Sequence, residues 1–218
     1  MKTETKILFG VLFLTVIIII IGLVVLAKSS PKTNSTNSTN TVYQIDYSKG
    51  HKIGSDSAKI KLVEFSDFQC PACRAAEPIV EEIISNSKNK DFEFIYRNYP
   101  LSQHLNAKAA VNAAEAASDQ NKFWEMHNKL FATQDKWESL QDPADYFANL
   151  AKDLSLDSDK IKEAVQKNTY NSKIQDDIND GNSYGLNATP TFYLNGKKLE
   201  LSSFNDLKDQ VNQALTQK

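Results

Sequence analysis

Cysteine is scarce: the 218-residue chain holds only Cys70 and Cys73. An exported protein built this way has no third thiol with which its pair could scramble. A structural zinc site needs about four ligands. Two cysteines and three scattered histidines, His51, His104 and His127, do not supply them, so no metal is expected. Basic charge is also short. The net charge is −2, and residues 1–42 contribute +3 from four Lys and one Glu, which leaves −5 on residues 43–218. Such a chain offers no cationic stripe to a phosphate backbone, which excludes nucleic acid as a partner. No cysteine follows the N-terminal apolar run, so an acceptor for N-terminal lipid modification is missing.

The rest of the composition, 41% apolar and 24% charged, is that of a globular protein with an ordinary core. The N-terminus departs from it. After a tail of six residues, positions 7–27 carry no charge. At about 1.5 Å per residue a helix of that length covers roughly 30 Å, the thickness of a bilayer's hydrocarbon core. We expect a transmembrane signal-anchor. A cleaved signal peptide competes, since Val25-Leu26-Ala27 would serve as a cleavage site, although signal cores usually run to about 7–15 residues. Lys2 and Lys6 precede the run and Lys28 and Lys32 follow it, a slight bias toward a cytoplasmic N-terminus. Residues 28–42, rich in Ser, Thr and Asn, cannot bury a core and are expected to form a flexible linker.

Residues 43–218 amount to one domain. Positions 59–66 (KIKLVEFS) are an apolar strand candidate. A helix is expected from Cys70, with Pro71 tolerated in its first turn and Ile79, Val80, Ile83 and Ile84 at helical spacing. Positions 91–99 (DFEFIYRNY) alternate like a second strand. From about His104 to Tyr184 the pattern is helical throughout, and an insertion is expected over about 103–185. PTFYL then turns through Asn195-Gly196 into KKLEL, a hairpin signal, and a closing amphipathic helix is expected over 203–215. The order is βαβ, a helical block, then ββα.

A C-x-x-C at the end of the first strand of such a unit is the thioredoxin-like redox arrangement. A cysteine at a helix start faces unpaired N–H groups and the positive end of the helix dipole, which favour its thiolate. Cys70 is therefore the candidate attacking thiol and Cys73, one turn on, the resolving one. Half a zinc site and an inert local disulfide are the competing readings of the same pair.

The stretch Glu64-Phe65-Ser66-Asp67-Phe68-Gln69-Cys70-Pro71-Ala72-Cys73 resembles the active site of DsbA-like thiol oxidoreductases. The resemblance extends to Phe123-Trp124-Glu125-Met126-His127 and to Thr189-Pro190-Thr191-Phe192, and it covers roughly residues 50–215. It implies an α/β thioredoxin-like fold with an inserted helical domain. It also implies Cys70 as nucleophile, Cys73 as its partner, and Pro190 as a cis-proline facing the disulfide, with Thr189 touching substrate and tuning the thiolate. Glu64 would lie near the inner cysteine and shuttle a proton; an edge-strand Glu facing solvent is the alternative. Ala72 departs from the best-known member, which has histidine there, and should leave the Cys70 thiolate less stabilised and the couple less oxidising. His127 falls on an apolar helix face and is expected to be packed, while His104 is expected to open a helix in a structural or capping role.

The resemblance thus implies a membrane-tethered, extracytoplasmic, monomeric thiol:disulfide oxidoreductase without a cofactor. It would introduce disulfides into reduced exported polypeptides and be recharged by a membrane quinone-linked reoxidant. Rival readings are a reductase or isomerase using the same pair, and a peptide-binding holdase in which the C-x-x-C is incidental.

Overall fold

The computed structural model describes residues 41–87 and 90–217. The expected membrane anchor at 7–27 and nearly all of the expected linker lie outside the described residues. Among the described residues no helix is long and apolar enough to cross a membrane. Val42, the last residue of the expected linker, already pairs with Lys197, and Tyr43 N–H donates to the Gly196 carbonyl at 2.8 Å.

Among the described residues five strands form one sheet: β1 (His51–Gly54), β2 (Ile60–Ser66), β3 (Phe92–Asn98), β4 (Thr191–Leu194) and β5 (Lys197–Lys198), in the spatial order β1-β3-β2-β4-β5. Only β2 and β3 run parallel, joined by the crossover helix α1 (Pro71–Ser87). The edge strand β1 carries no sequence signal, because four residues with two of them polar give no apolar alternation. The hairpin's second strand is shorter than KKLEL suggests, two residues only. Its Asn195-Gly196 turn has positive φ at both positions, +49° and +81°, the geometry that suits a tight hairpin. A Cβ on Gly196 would stand 2.4 Å from the Tyr43 carbonyl, so only glycine fits.

Central strand β2 is buried on both faces, which accounts for its nearly continuous apolar reading. Leu62, Phe94 and Phe192 pack beneath α1 and the C-terminal helix α8 (Phe204–Thr216). On the opposite face Val63, Phe65, Ile95 and Tyr193 meet Ile45, Tyr99, Tyr184 and Leu186. Helix α1 continues through Pro78, its loss of one backbone bond offset by burial of Cys73, Ala76, Val80 and Ile83.

Between β3 and β4 stand the helices α2 (Ala107–Ser118), α3 (Phe123–Ala132), the single turn α4 (Gln134–Trp137), α5 (Ala144–Asp153), α6 (Ser158–Lys167) and α7 (Asn171–Ser183). This is the expected insertion. Its core is continuous with that of α1, through Met126, Leu130, Phe131, Trp137 and Phe147.

Candidate active site

Helix α1 begins where β2 delivers the chain. The Cys70 carbonyl accepts from Arg74 N–H at 3.1 Å, making Cys70 the residue just outside the first turn. Pro71 follows at the position where a missing N–H costs nothing. The Ala72 and Cys73 N–H groups are left to face the Cys70 sulfur. Cys70 and Cys73 are both free thiols, Cys70 7% exposed and Cys73 0%.

The two sulfurs are driven in opposite directions. The Cys70 thiol is lowered to about 5, first by the hydrogen bond from Cys73, helped by the Thr189 side chain and the two backbone N–H groups, and against burial. Cys73 is pushed well above its ordinary value by burial, and also by Cys70 and Glu64. The only described donor to the Cys73 sulfur from the main chain is Asp67 N–H, at 3.4 Å. One cysteine is therefore a ready thiolate at neutral pH and the other a thiol that must lose a proton before it can attack.

Thr189-Pro190 is cis, as the resemblance implied. The Thr189 carbonyl lies 3.4 Å from the Cys70 sulfur, and the buried Thr189 Oγ1 has no hydrogen-bond partner among the described residues. Antiparallel pairing of β4 with β2, Phe65 opposite Thr191, is what carries this loop to the cysteines.

Glu64 is fully buried on the central strand, so the solvent-facing alternative does not hold. Burial raises its carboxyl to about 7, with the Cys70 charge adding and the Ser66 hydroxyl opposing. Neither carboxyl oxygen has a hydrogen-bond partner among the described residues. It is thus a group that can hold or release a proton near neutrality beside the thiol that needs to exchange one.

The supports of the site are not legible in the sequence pattern. Gln134 Nε2 donates to the carbonyls of Phe68 (2.7 Å) and Cys70 (3.1 Å), tying α4 to the active-site loop. Asp67, fully buried, accepts from Gln69 N–H, Leu101 N–H and His104 Nδ1. His104 therefore braces this loop and stands in the turn before α2 instead of opening that helix. No signal short of the tertiary fold marks Gln134. Asp67 carries a weak one, since an aspartate just before a helix start often caps backbone N–H groups. His127 is packed as expected, between Phe68, Tyr96 and Phe131. Burial lowers its imidazole to about 4. Among the described residues no cluster of three potential metal ligands occurs.

The family model described as Thioredoxin matches residues 46–213. Among curated relatives, the Na(+)/H(+) antiporter NhaA 1 of Salinispora arenicola is 36% identical over 155 residues, 71% of this chain. The chain spans only 23% of that protein's length. The "Probable disulfide bond formation protein D" of Bacillus anthracis is 26% identical over 224 residues, covering 99% of both chains. Among solved structures, oxidised BdbD from Bacillus subtilis superposes with a TM-score of 0.70 at 24% identity, covering 82% of this chain and 99% of that one. The thiol-disulfide oxidoreductase MdbA from Corynebacterium diphtheriae gives 0.61 at 20% identity, over 72% and 84%.

Proposed function

Because the chain belongs to the thioredoxin family, we propose that it is a thiol:disulfide oxidoreductase, tethered to the membrane by residues 7–27 and working on the extracytoplasmic side. It introduces disulfides into reduced exported polypeptides. The observation that carries this reading is the opposed tuning of two sulfurs in one helical turn, Cys70 toward thiolate and Cys73 toward thiol. The near full-length likeness to a protein named for disulfide bond formation supports the direction of the reaction.

In the disulfide form a substrate thiolate attacks the Cys70 sulfur along the Thr189-Pro190 loop. The Cys70–Cys73 bond breaks, its electron pair leaves on Cys73, and Glu64 supplies the proton that turns Cys73 into a thiol. A second substrate thiolate attacks its own sulfur in the mixed disulfide. It leaves with a new disulfide and expels Cys70 as a thiolate, which needs no proton because its stability is built in. A membrane quinone-linked partner would then remove the two electrons, the one thiol proton of Cys73 is released as the disulfide closes, and no resident cofactor is required.

Equilibrating the full-length protein with glutathione and quantifying reduced and oxidised Cys70–Cys73 tests the direction. A potential approaching about −120 mV supports the oxidase, and one near about −270 mV makes it a reductase. With alanine at position 72, a value on the reducing side of the first figure is expected. A Cys70→Ala protein that retains full function in cells would instead make it a peptide-binding holdase.

A further inference from the structure

Several buried polar atoms without a partner among the described residues converge on one place. They include both Glu64 oxygens, Ser66 Oγ, Tyr96 Oη, Glu77 Oε1 and His127 Nε2. Such groups are costly to bury, and natural folds keep few of them. Glu64 and Tyr96 are opposite one another on β2 and β3. The Tyr96 ring meets the His127 ring edge-on, centroids 4.8 Å apart. His127 Nε2 stands 3.8 Å from Glu77 Oε2. Glu77 in turn follows Cys73 by one helical turn, so the two share a face of α1.

The two carboxyls differ in access. Glu64 is sealed, so a proton it gives to or takes from Cys73 is replaced from, or released to, solvent only through a neighbour. The Glu77 side chain is 13% exposed and lines a groove of about 220 Å³ between α1 and α3, with Val80, Phe94, Trp124 and His127. A second depression, bordered by Arg74, Pro78 and Phe131, also reaches it.

We propose that Glu77 is the outer station of a proton relay that connects Glu64 and Cys73 to solvent through the α1–α3 groove. The proposal rests on the exchange chemistry assigned above. When Cys73 leaves as a thiolate, it takes the proton of Glu64. The Glu64 carboxylate takes the proton of Glu77, and Glu77 is recharged from solvent. Closing the disulfide runs the sequence backwards, one proton outward for each Cys73 thiol deprotonated. Burial, followed by the charges of Glu64 and Glu81, pushes the Glu77 carboxyl to about 9, so it enters the cycle protonated. The titratable groups around it are Arg74 and Glu81 on its own helix, with Cys73 one turn earlier, Glu64 on β2, Tyr96 on β3 and His127 on α3. His127 remains neutral. Its Nδ1 lies 2.9 Å from Asn128 Oδ1, which assigns the proton there and leaves Nε2 as an acceptor toward Glu77.

Reduced full-length protein mixed with excess dithiobis(nitrobenzoate) separates the steps. Cys70 thiolate attacks the reagent and releases one thionitrobenzoate. Cys73 then loses its proton, attacks the Cys70 sulfur and releases the second. In E77Q the first phase should match wild type and the second should slow about tenfold at pH 6, a modest part of what proton transfer by a positioned side chain contributes. The deficit should shrink toward pH 9, where hydroxide replaces the relay. In E77A, acetate should restore the second phase. A second phase in E77Q equal to wild type across pH 5–9, or E77A unmoved by acetate, overturns the relay. Should E77Q not fold, the acetate response of E77A decides. Wild type lacking any second phase would overturn the exchange function itself, a different result from a relay failure.

Discussion

The Cys70 sulfur is held as a thiolate by its partner's S–H, the Thr189 side chain and two main-chain amides. None of these depends on the side chain at position 72, which is why alanine there does not abolish the effect. A histidine would add a further donor or charge. Following thiolate absorbance with pH, wild type should titrate near 5 and Ala72→His lower still; an unchanged or higher midpoint would remove position 72 from the tuning. On the proposed function, Cys73→Ser should accumulate a mixed disulfide with a reduced polypeptide, visible by mass, because the attacking sulfur survives while the resolving one is gone. The cysteines, Glu64, Thr189 and Pro190 were legible because each is a residue type whose chemistry is tied to a fixed offset or to a known family pattern. Glu77 was not, since a glutamate in an amphipathic helix ordinarily faces water and only the packing of α3 over α1 buries this one.

At the scale of elements, the helical insertion is fastened to the loop it overlies. Replacing Gln134 by Ala strands the Phe68 and Cys70 carbonyls in a buried setting, which costs about 1–3 kcal/mol. Urea denaturation should show the loss as a lower midpoint with an unchanged slope, and an effect within about 0.3 kcal/mol would mean that the loop holds its shape unaided. Strands β2 and β3 and helix α1 were readable from apolar runs and periodicity. Strand β1 and the short β5 were not, because their pairing is decided by neighbours distant in sequence: His51 aligns with Tyr96, and Lys198 with Tyr193.

For the whole molecule, the buried carboxyls and the nucleophilic thiolate bias folding in opposite directions with pH. Glu64, raised when folded, stays protonated in the native state after it has ionised in the unfolded chain. Its contribution is full below about pH 4.5 and declines as pH rises through about 7. Cys70, lowered when folded, contributes above its unfolded value near 9 and loses that contribution as pH falls through about 5. Glu64→Gln should therefore gain stability over wild type from pH 5 to 8, by on the order of 2 kcal/mol in denaturant titrations of the reduced protein. A difference that stays constant with pH would mean that Glu64 ionises as easily folded as unfolded. The hairpin carries a last consequence. Asn195 bonds Lys61 through both its N–H and its side-chain oxygen, which pins β4 against β2 at the end of the strand away from Cys70. Side chains alternate along a strand, so sliding it by one residue would turn Thr191 and its neighbours to the wrong face. The Asn195-Gly196 turn, about 13 Å of strand from the Thr189-Pro190 loop, thus works as a gauge block that sets where the Thr189 carbonyl meets sulfur. On the proposed function, a single residue inserted ahead of Asn195 should abolish thiol–disulfide exchange while leaving every reacting group intact.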